Sequence, residues 1–198
     1  ETIKYEVDDK ILTITLNPAV DVSSSVDRIE PVRKLRCRAE VRSAGGGGIN
    51  VARVVSRLGG SVTAVFTAGG VVGEQIKQLV ASENVPSLAL PVAGQTRESF
   101  TVVDETTKDE FRFVMPGPVL VEPEWQACEE QIGNLAKGRT YIVASGSMPS
   151  GAPADAHARI AAAARRAGAR FVVDASGSQL KAALETGVYL AKPNLREL

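Results

Sequence analysis

Four consecutive glycines, Gly45–Gly48, stand directly before Ile49–Leu58. In that segment Ile49, Ala52, Val55 and Leu58 fall close to one helical stripe, and Gly59-Gly60 supplies a stop. A glycine run at a strand-to-helix turn is costly in chain entropy. It has two explanations: a flexible turn, or a place where backbone and a helix N-terminus must come close to a polar or anionic ligand. The run is not a P-loop, because no Gly-x-x-x-x-Gly-Lys-Ser/Thr occurs in the chain. Nor is it a dinucleotide fingerprint, since Asn50 or Val51 occupies the place of the third glycine. Asn50, at the helix start, is expected to act either as a plain N-cap or as a ligand-facing amide.

The rest of the chain alternates. Lys10–Leu16, Val62–Thr67, Thr140–Ser145, Arg170–Asp174 and Val188–Ala191 read as strands. Ile49–Leu58, Gly73–Asn84, Ala154–Ala167 and Gln179–Glu185 read as helices between them. Such alternation implies βαβ units and a mostly parallel α/β sheet. Two stretches break the rhythm. Val20–Arg42 has no helical period, and Ser99–Asp104 with Glu110–Met115 reads as a hairpin without a covering helix. Both are expected to be strands of a small side sheet.

Composition narrows the function classes. Of 198 residues, 44% are hydrophobic and 23% charged, which excludes a disordered chain. Lys+Arg and Asp+Glu both number 23, so there is no basic excess for a nucleic-acid partner. No apolar run reaches the ~18 residues of a membrane span. Cys37 and Cys128 form no Cys-x-x-Cys, and the opening ETIKYEVDDK has no apolar signal core, so a cytoplasmic setting is expected. The first methionine is Met115, so the chain is expected to lack its own start.

Several residues could carry chemistry. Asp21, in Asn17-Pro18-Ala19-Val20-Asp21 past a strand end, could accept hydrogen bonds from sugar hydroxyls or be a solvated turn residue. Lys34, Arg36, Arg38, Arg42 and Arg97 could bind phosphate, or be the charged decoration of edge strands. Ser147, in Ser145-Gly146-Ser147, follows another strand end. Asn194 and Glu197 are three apart, a spacing that could hold Mg²⁺ through waters or simply cap a helix. His157 is expected at the surface of an alanine-rich polar helix, and Trp125 in packing. Neither cysteine has a histidine near it in sequence, which argues against a thiol nucleophile.

Taken in order, LNPAVD, GGGGINVARVVSRLGG, GGVVGE, VMPG, SGSMPSG, VVDASG and KPNLREL resemble the PfkB (ribokinase-like) sugar kinases across essentially the whole chain. LRCRAE, FRFVMPG and the lysine-free glycine run most resemble the family's minor 6-phosphofructokinase type. The resemblance implies an α/β core over 1–19, 43–95 and 117–198, with a β lid over 20–42 and 96–116 that often forms a homodimer contact. It implies ATP-dependent phosphoryl transfer to a sugar phosphate, most simply fructose 6-phosphate to fructose 1,6-bisphosphate in glycolysis. 1-Phosphofructokinase, tagatose-6-phosphate kinase and a non-catalytic sugar-phosphate binder are the alternatives. By motif, Asp21, Gly46, Gly47 and Asn50 should line the sugar. Arg97, Ser147 and the lid residues Lys34 and Arg36 should meet the substrate phosphate. Lys192 and Asn194 should approach the ATP phosphates, and Glu197 should organise Mg²⁺ through water. The family's catalytic aspartate lies in a Gly-x-Gly-Asp motif, and no Gly-Asp dipeptide occurs here. The base is therefore expected beyond Leu198, and these 198 residues are expected to be inactive alone.

Overall fold

A computed structural model of the chain describes residues 10–193. The strands are β1 (Lys10–Thr15), β2 (Ala19–Val26), β3 (Val41–Gly45), β4 (Ser61–Ala68), β5 (Ser87–Pro91), β6 (Arg97–Asp104), β7 (Glu110–Val114), β8 (Tyr141–Ser145), β9 (Arg170–Asp174) and β10 (Leu190–Ala191). The helices are α1 (Gly47–Arg57), α2 (Gly70–Ser82), α3 (Glu122–Leu135), α4 (Ala156–Arg166) and α5 (Gly177–Thr186). Six strands form a parallel sheet in the order β10-β9-β8-β1-β4-β5, and four form a mixed sheet in the order β3-β2-β6-β7.

β1 is central because both its faces can be buried. Leu12, Thr13, Ile14 and Thr15 are all closed to solvent, so this strand reads as a continuous run instead of an alternation. Successive residues of the parallel sheet feed two different cores. On one side Leu12, Ile14, Ile142 and Phe171 pack with Trp125, Ile132 and Ile160 from α3 and α4. On the other, Ala64 and Phe66 pack with Ile49, Val72 and Ile76 from α1 and α2. That second core also takes Val20 and Val22 from the four-stranded sheet, and this joins the two sheets.

The small sheet is two-faced. Val20, Val22 and Phe100 sit on its apolar side, against α2. The pairs Asp21↔Ser43, Asp21↔Ser99 and Thr101↔Arg112 gather polar side chains on the other side. Asp104 closes its β6–β7 turn, accepting from the backbone N–H groups of Ile29, Thr106 and Thr107. Those bonds hold its carboxyl below the usual range.

Some elements depart from expectation. α2 begins at Gly70, three residues earlier than its pattern suggested. β5 and α3 are additions to the expected elements. β5 is an edge strand that ends on a proline and fully buries only Leu90. α3 buries a narrow stripe, Trp125, Cys128 and Ile132, and so lacks a strong period. His157 is a correction: it is 2% exposed and belongs to the inner face of α4. The alanines around it (Ala156, Ala161, Ala163 and Ala164) are buried, so that helix presents small apolar residues inward.

The glycine run supports a direct stability test. A Cβ at Gly48 would lie 2.6 Å from the Ile14 carbonyl, which is backbone that cannot yield, and 2.6 Å from the Thr15 Oγ1 side-chain oxygen. Gly48→Ala is expected to cost about 1–3 kcal/mol, seen as a lower urea midpoint at unchanged slope. Gly133→Ala, in α3 with nothing within 4 Å of the added carbon, is expected to raise stability by about 0.4–1 kcal/mol in the same assay.

Candidate functional site

The glycine turn places the N-terminus of α1 on the ends of β1 and β8. Gly46 is the N-cap residue, with φ 130° and ψ 137°, a conformation open to few residues other than glycine. A Cβ at Gly47 would run into Ser145 Oγ, and one at Gly48 into the end of β1. The Ile49 N–H donates to Thr15 Oγ1 at 3.1 Å, and this fixes the helix on β1. The turn is therefore a packing necessity as well as a possible ligand surface. Asn50 is no cap. It lies exposed in α1, where its Oδ1 accepts from Arg53 Nη1 at 2.6 Å. Arg53 also reaches the Ala44 carbonyl at 2.7 Å and pairs with Glu83 at the end of α2.

Around this turn, side chains from distant parts of the chain meet. Asp21 is half-buried on the polar face of β2 and accepts no hydrogen bond from a described side chain. Burial holds its carboxyl above the usual value of 3.8, while Arg112, Arg97 and Arg53 pull it partway back. Arg97, at the start of β6, donates to the Asn17 carbonyl at 3.0 Å, to Met115 O at 3.3 Å and to Ser147 Oγ at 3.4 Å. Its Nε is buried with no partner among the described residues. Burial draws its guanidinium below the ordinary value, and Asp21 opposes that. Asn17 joins the cluster from the end of β1, its Nδ2 donating to Ser147 Oγ at 3.1 Å. Beside it, Gly146, Ser147, His157, Asp174 and Gln179 line a cavity of about 350 Å³. Ser145 Oγ donates to Asp174 at 2.9 Å, and His157 Nδ1 lies 3.2 Å from Gln179 Oε1.

Thus Asp21, Gly46, Gly47, Arg97 and Ser147 come together at one end of the parallel sheet, with Asn50 one turn into α1. Lys34 and Arg36 do not join them: both are exposed on the 27–40 connection between β2 and β3. Lys192 follows β10 at the sheet's far edge and is exposed, its N–H on the Val173 carbonyl at 3.1 Å. Asn194 and Glu197 lie outside the described residues. Sequence reasoning overlooked Asn17, Arg53 and Arg112. Asn17 was visible in the same motif as Asp21. Arg112 needed the hairpin register, which sets it opposite Thr101 on the polar face.

The ends of parallel strands, a helix N-terminus and a half-buried guanidinium with one N–H still unsatisfied among the described residues make a place for a small anionic molecule. Residues 11–198 match the pfkB family of carbohydrate kinases. The chain belongs to that family. It is 43% identical over 189 residues to the ATP-dependent 6-phosphofructokinase isozyme 2 of Mycobacterium tuberculosis, covering 96% of this chain and 56% of that protein. To the isozyme 2 of Escherichia coli it is 44% identical over 190 residues, covering 96% and 61%. The crystal structure of E. coli phosphofructokinase-2 in complex with fructose-6-phosphate superposes with a TM-score of 0.90 at 43% identity, covering 96% of this chain and 62% of that one. The chain thus spans about three-fifths of the length of these relatives. No helix among the described residues of this pfkB-family chain is long and apolar enough to cross a membrane.

Two titrations test the site's electrostatics. Asp21 has a raised pKa when folded, so it favours the fold below about pH 4 and disfavours it as pH rises through the folded value. Asp21→Asn is expected to melt higher than wild type at pH 7, with the gap closing below pH 4. Burial lowers the His157 pKa from 6.5, so its contribution is complete above 6.5 and lost as pH falls through the folded value. His157→Gln is expected to flatten that part of the thermal-stability profile below pH 6.5.

Proposed function

We propose that this chain forms the acceptor half of an ATP-dependent sugar-phosphate kinase, with fructose 6-phosphate as acceptor and fructose 1,6-bisphosphate as product. The observation that carries the reading is Arg97. Its guanidinium is half-buried, hydrogen-bonded to carbonyls that orient it, and left with a buried Nε that has no partner among the described residues. A phosphate oxygen is the natural acceptor for such a donor. Asp21 shares the sheet's polar face with it but makes no ion pair to it within 4 Å. The site therefore offers a cation at one end and a carboxylate at the other. That matches a ligand with a phosphate and several hydroxyls.

In this reading Arg97 and Ser147 Oγ hold the phosphate that the sugar already carries. Asp21 accepts from sugar hydroxyls, and so turns the far hydroxyl toward the phosphoryl donor. Gly46 and Gly47 let the sugar lie against the backbone at the N-terminus of α1, with Asn50 along its edge. ATP supplies the transferable phosphoryl group, with Mg²⁺ to neutralise its charge. Lys192, Asn194 and Glu197 are the residues of this chain assigned to that side. The base that takes the acceptor proton belongs to a Gly-x-Gly-Asp motif absent from these 198 residues, so they are expected to bind without turnover. Lacking a positioned base costs ~10²- to 10⁴-fold by itself.

The small sheet is the proposed lid and homodimer contact. Its outer strand β7 leaves Phe111, Phe113 and Val114 exposed, and Val32 and Leu35 are exposed on the neighbouring connection. Such apolar surface suits a second copy, which would bring Lys34 and Arg36 toward the partner's phosphate. A cytoplasmic setting fits the free Cys37 and Cys128. The lysine-free glycine run favours fructose 6-phosphate over the 1-phosphofructokinase and tagatose-6-phosphate alternatives.

Calorimetric titration tests the reading. The chain is expected to bind fructose 6-phosphate more tightly than fructose. Arg97→Ala is expected to weaken fructose 6-phosphate by about 10- to 100-fold, the worth of charge-assisted hydrogen bonds, and to leave fructose little changed. Equal affinity for both sugars in the wild type, or equal loss of both in the variant, would overturn it.

A further inference from the structure

The motif around Asp21 holds a second polar residue with no role so far. Asn17 is 8% exposed and stands where the chain leaves the parallel sheet for the small one. Its Nδ2 donates to Ser147 Oγ at 3.1 Å and to the Met148 carbonyl at 3.4 Å. The carbonyl can only accept, which fixes the nitrogen end of the amide toward the Ser147 loop. Its backbone carbonyl accepts from Arg97 Nη2 at 3.0 Å. Its Oδ1 is buried without a partner among the described residues and directed at Gly117, where an added Cβ would overlap it. Arg97 Nη1 meanwhile donates to Met115 O, two residues before Gly117. One residue thus ties together the end of β1, the start of β6, the loop after β8 and the return from β7.

We propose that Asn17 is the positioning residue that sets Arg97 and Ser147 at the spacing of one phosphate group, and so determines preference for a phosphorylated over a free sugar. The inference rests on the reading of Arg97 and Ser147 as the phosphate-holding pair. Without the amide, Ser147 loses a donor that holds its oxygen toward Arg97, and its loop loses the bond at Met148. Without space at Gly117, the amide cannot occupy its place. Two residues far apart in sequence therefore act on one geometry, and neither needs to touch the sugar.

The test measures affinities of the 198-residue chain for fructose 6-phosphate and for fructose by calorimetry. The variants are Asn17→Ala, Gly117→Ala and the two combined. Each single change is expected to lower the preference for fructose 6-phosphate about tenfold, the loss of one or two neutral hydrogen bonds, with fructose affinity nearly unchanged. Gly117→Ala is expected to add nothing once Asn17 is alanine, because its effect passes through the amide. Unchanged preference in Asn17→Ala, or a Gly117→Ala effect of equal size in both backgrounds, would overturn the proposal. A wild type that shows no preference for fructose 6-phosphate would instead overturn the phosphate-site reading on which it rests. Should Asn17→Ala fail to fold, the cycle of Gly117→Ala, Ser147→Ala and the two combined reads the same coupling. Additive losses there would overturn the proposal, and a non-additive pair would support it.

Discussion

The close approach of α1 to the ends of β1 and β8 is the contact on which the rest of the molecule depends. Gly47 leaves no room for a carbon beside Ser145 Oγ, and Gly48 none beside the Ile14 carbonyl. With side chains there, the helix would stand further from the sheet, and the Ile49 N–H would lose Thr15 Oγ1. The same turn follows β3 directly, so it also fixes where the small sheet hangs from the large one. Arg53 reinforces that join by bridging the Ala44 carbonyl and Glu83. Arg42 does so again on the far side, reaching Glu98 at 2.8 Å and Gln75 at 3.0 Å.

Once the sheets are held this way, four chain crossings converge beside the turn, and they bring charge with them. The outcome is unfavourable for folding in several particulars. Asp21 is a half-buried carboxylate without a hydrogen-bonding partner among the described residues, and burial pushes its pKa up. Arg97 Nε and Asn17 Oδ1 are buried polar atoms left unpaired among the described residues. Each such atom costs free energy unless something arrives to satisfy it. Proteins retain arrangements of this kind mainly at functional sites, where a ligand completes the set.

Much of the architecture was legible in residue order, and the limits of legibility have physical causes. β1, β4, β8 and β9 were visible because β-branched runs bounded by turn residues have few other uses. α1 was visible from its stripe and its glycines. His157 is hard to place from sequence because an alanine-rich stretch resembles an exposed face, whereas a helix packed closely on a neighbour needs small residues inward. Its Gln179 partner sits on α5, out of view of any local pattern. α3 went unread because a stripe of three buried residues carries little periodic signal. The site was legible as a set of motifs, each at a strand end, but not as a set of contacts.

The sequence by itself determined the alternation of strands and helices, the irregular side sheet, the place of the glycine turn and the family's motif order. These depend on periodicity and on conformational cost, which act over a few neighbouring residues. Only the tertiary structure decided which polar atoms meet. Arg97 reaches the Asn17 carbonyl across 80 positions, and Asn17 reaches Ser147 across 130. It also decided which atoms are left unsatisfied and which charges lose water. Desolvation and hydrogen-bond completion depend on everything packed around an atom, and that packing exists only once both sheets are in place.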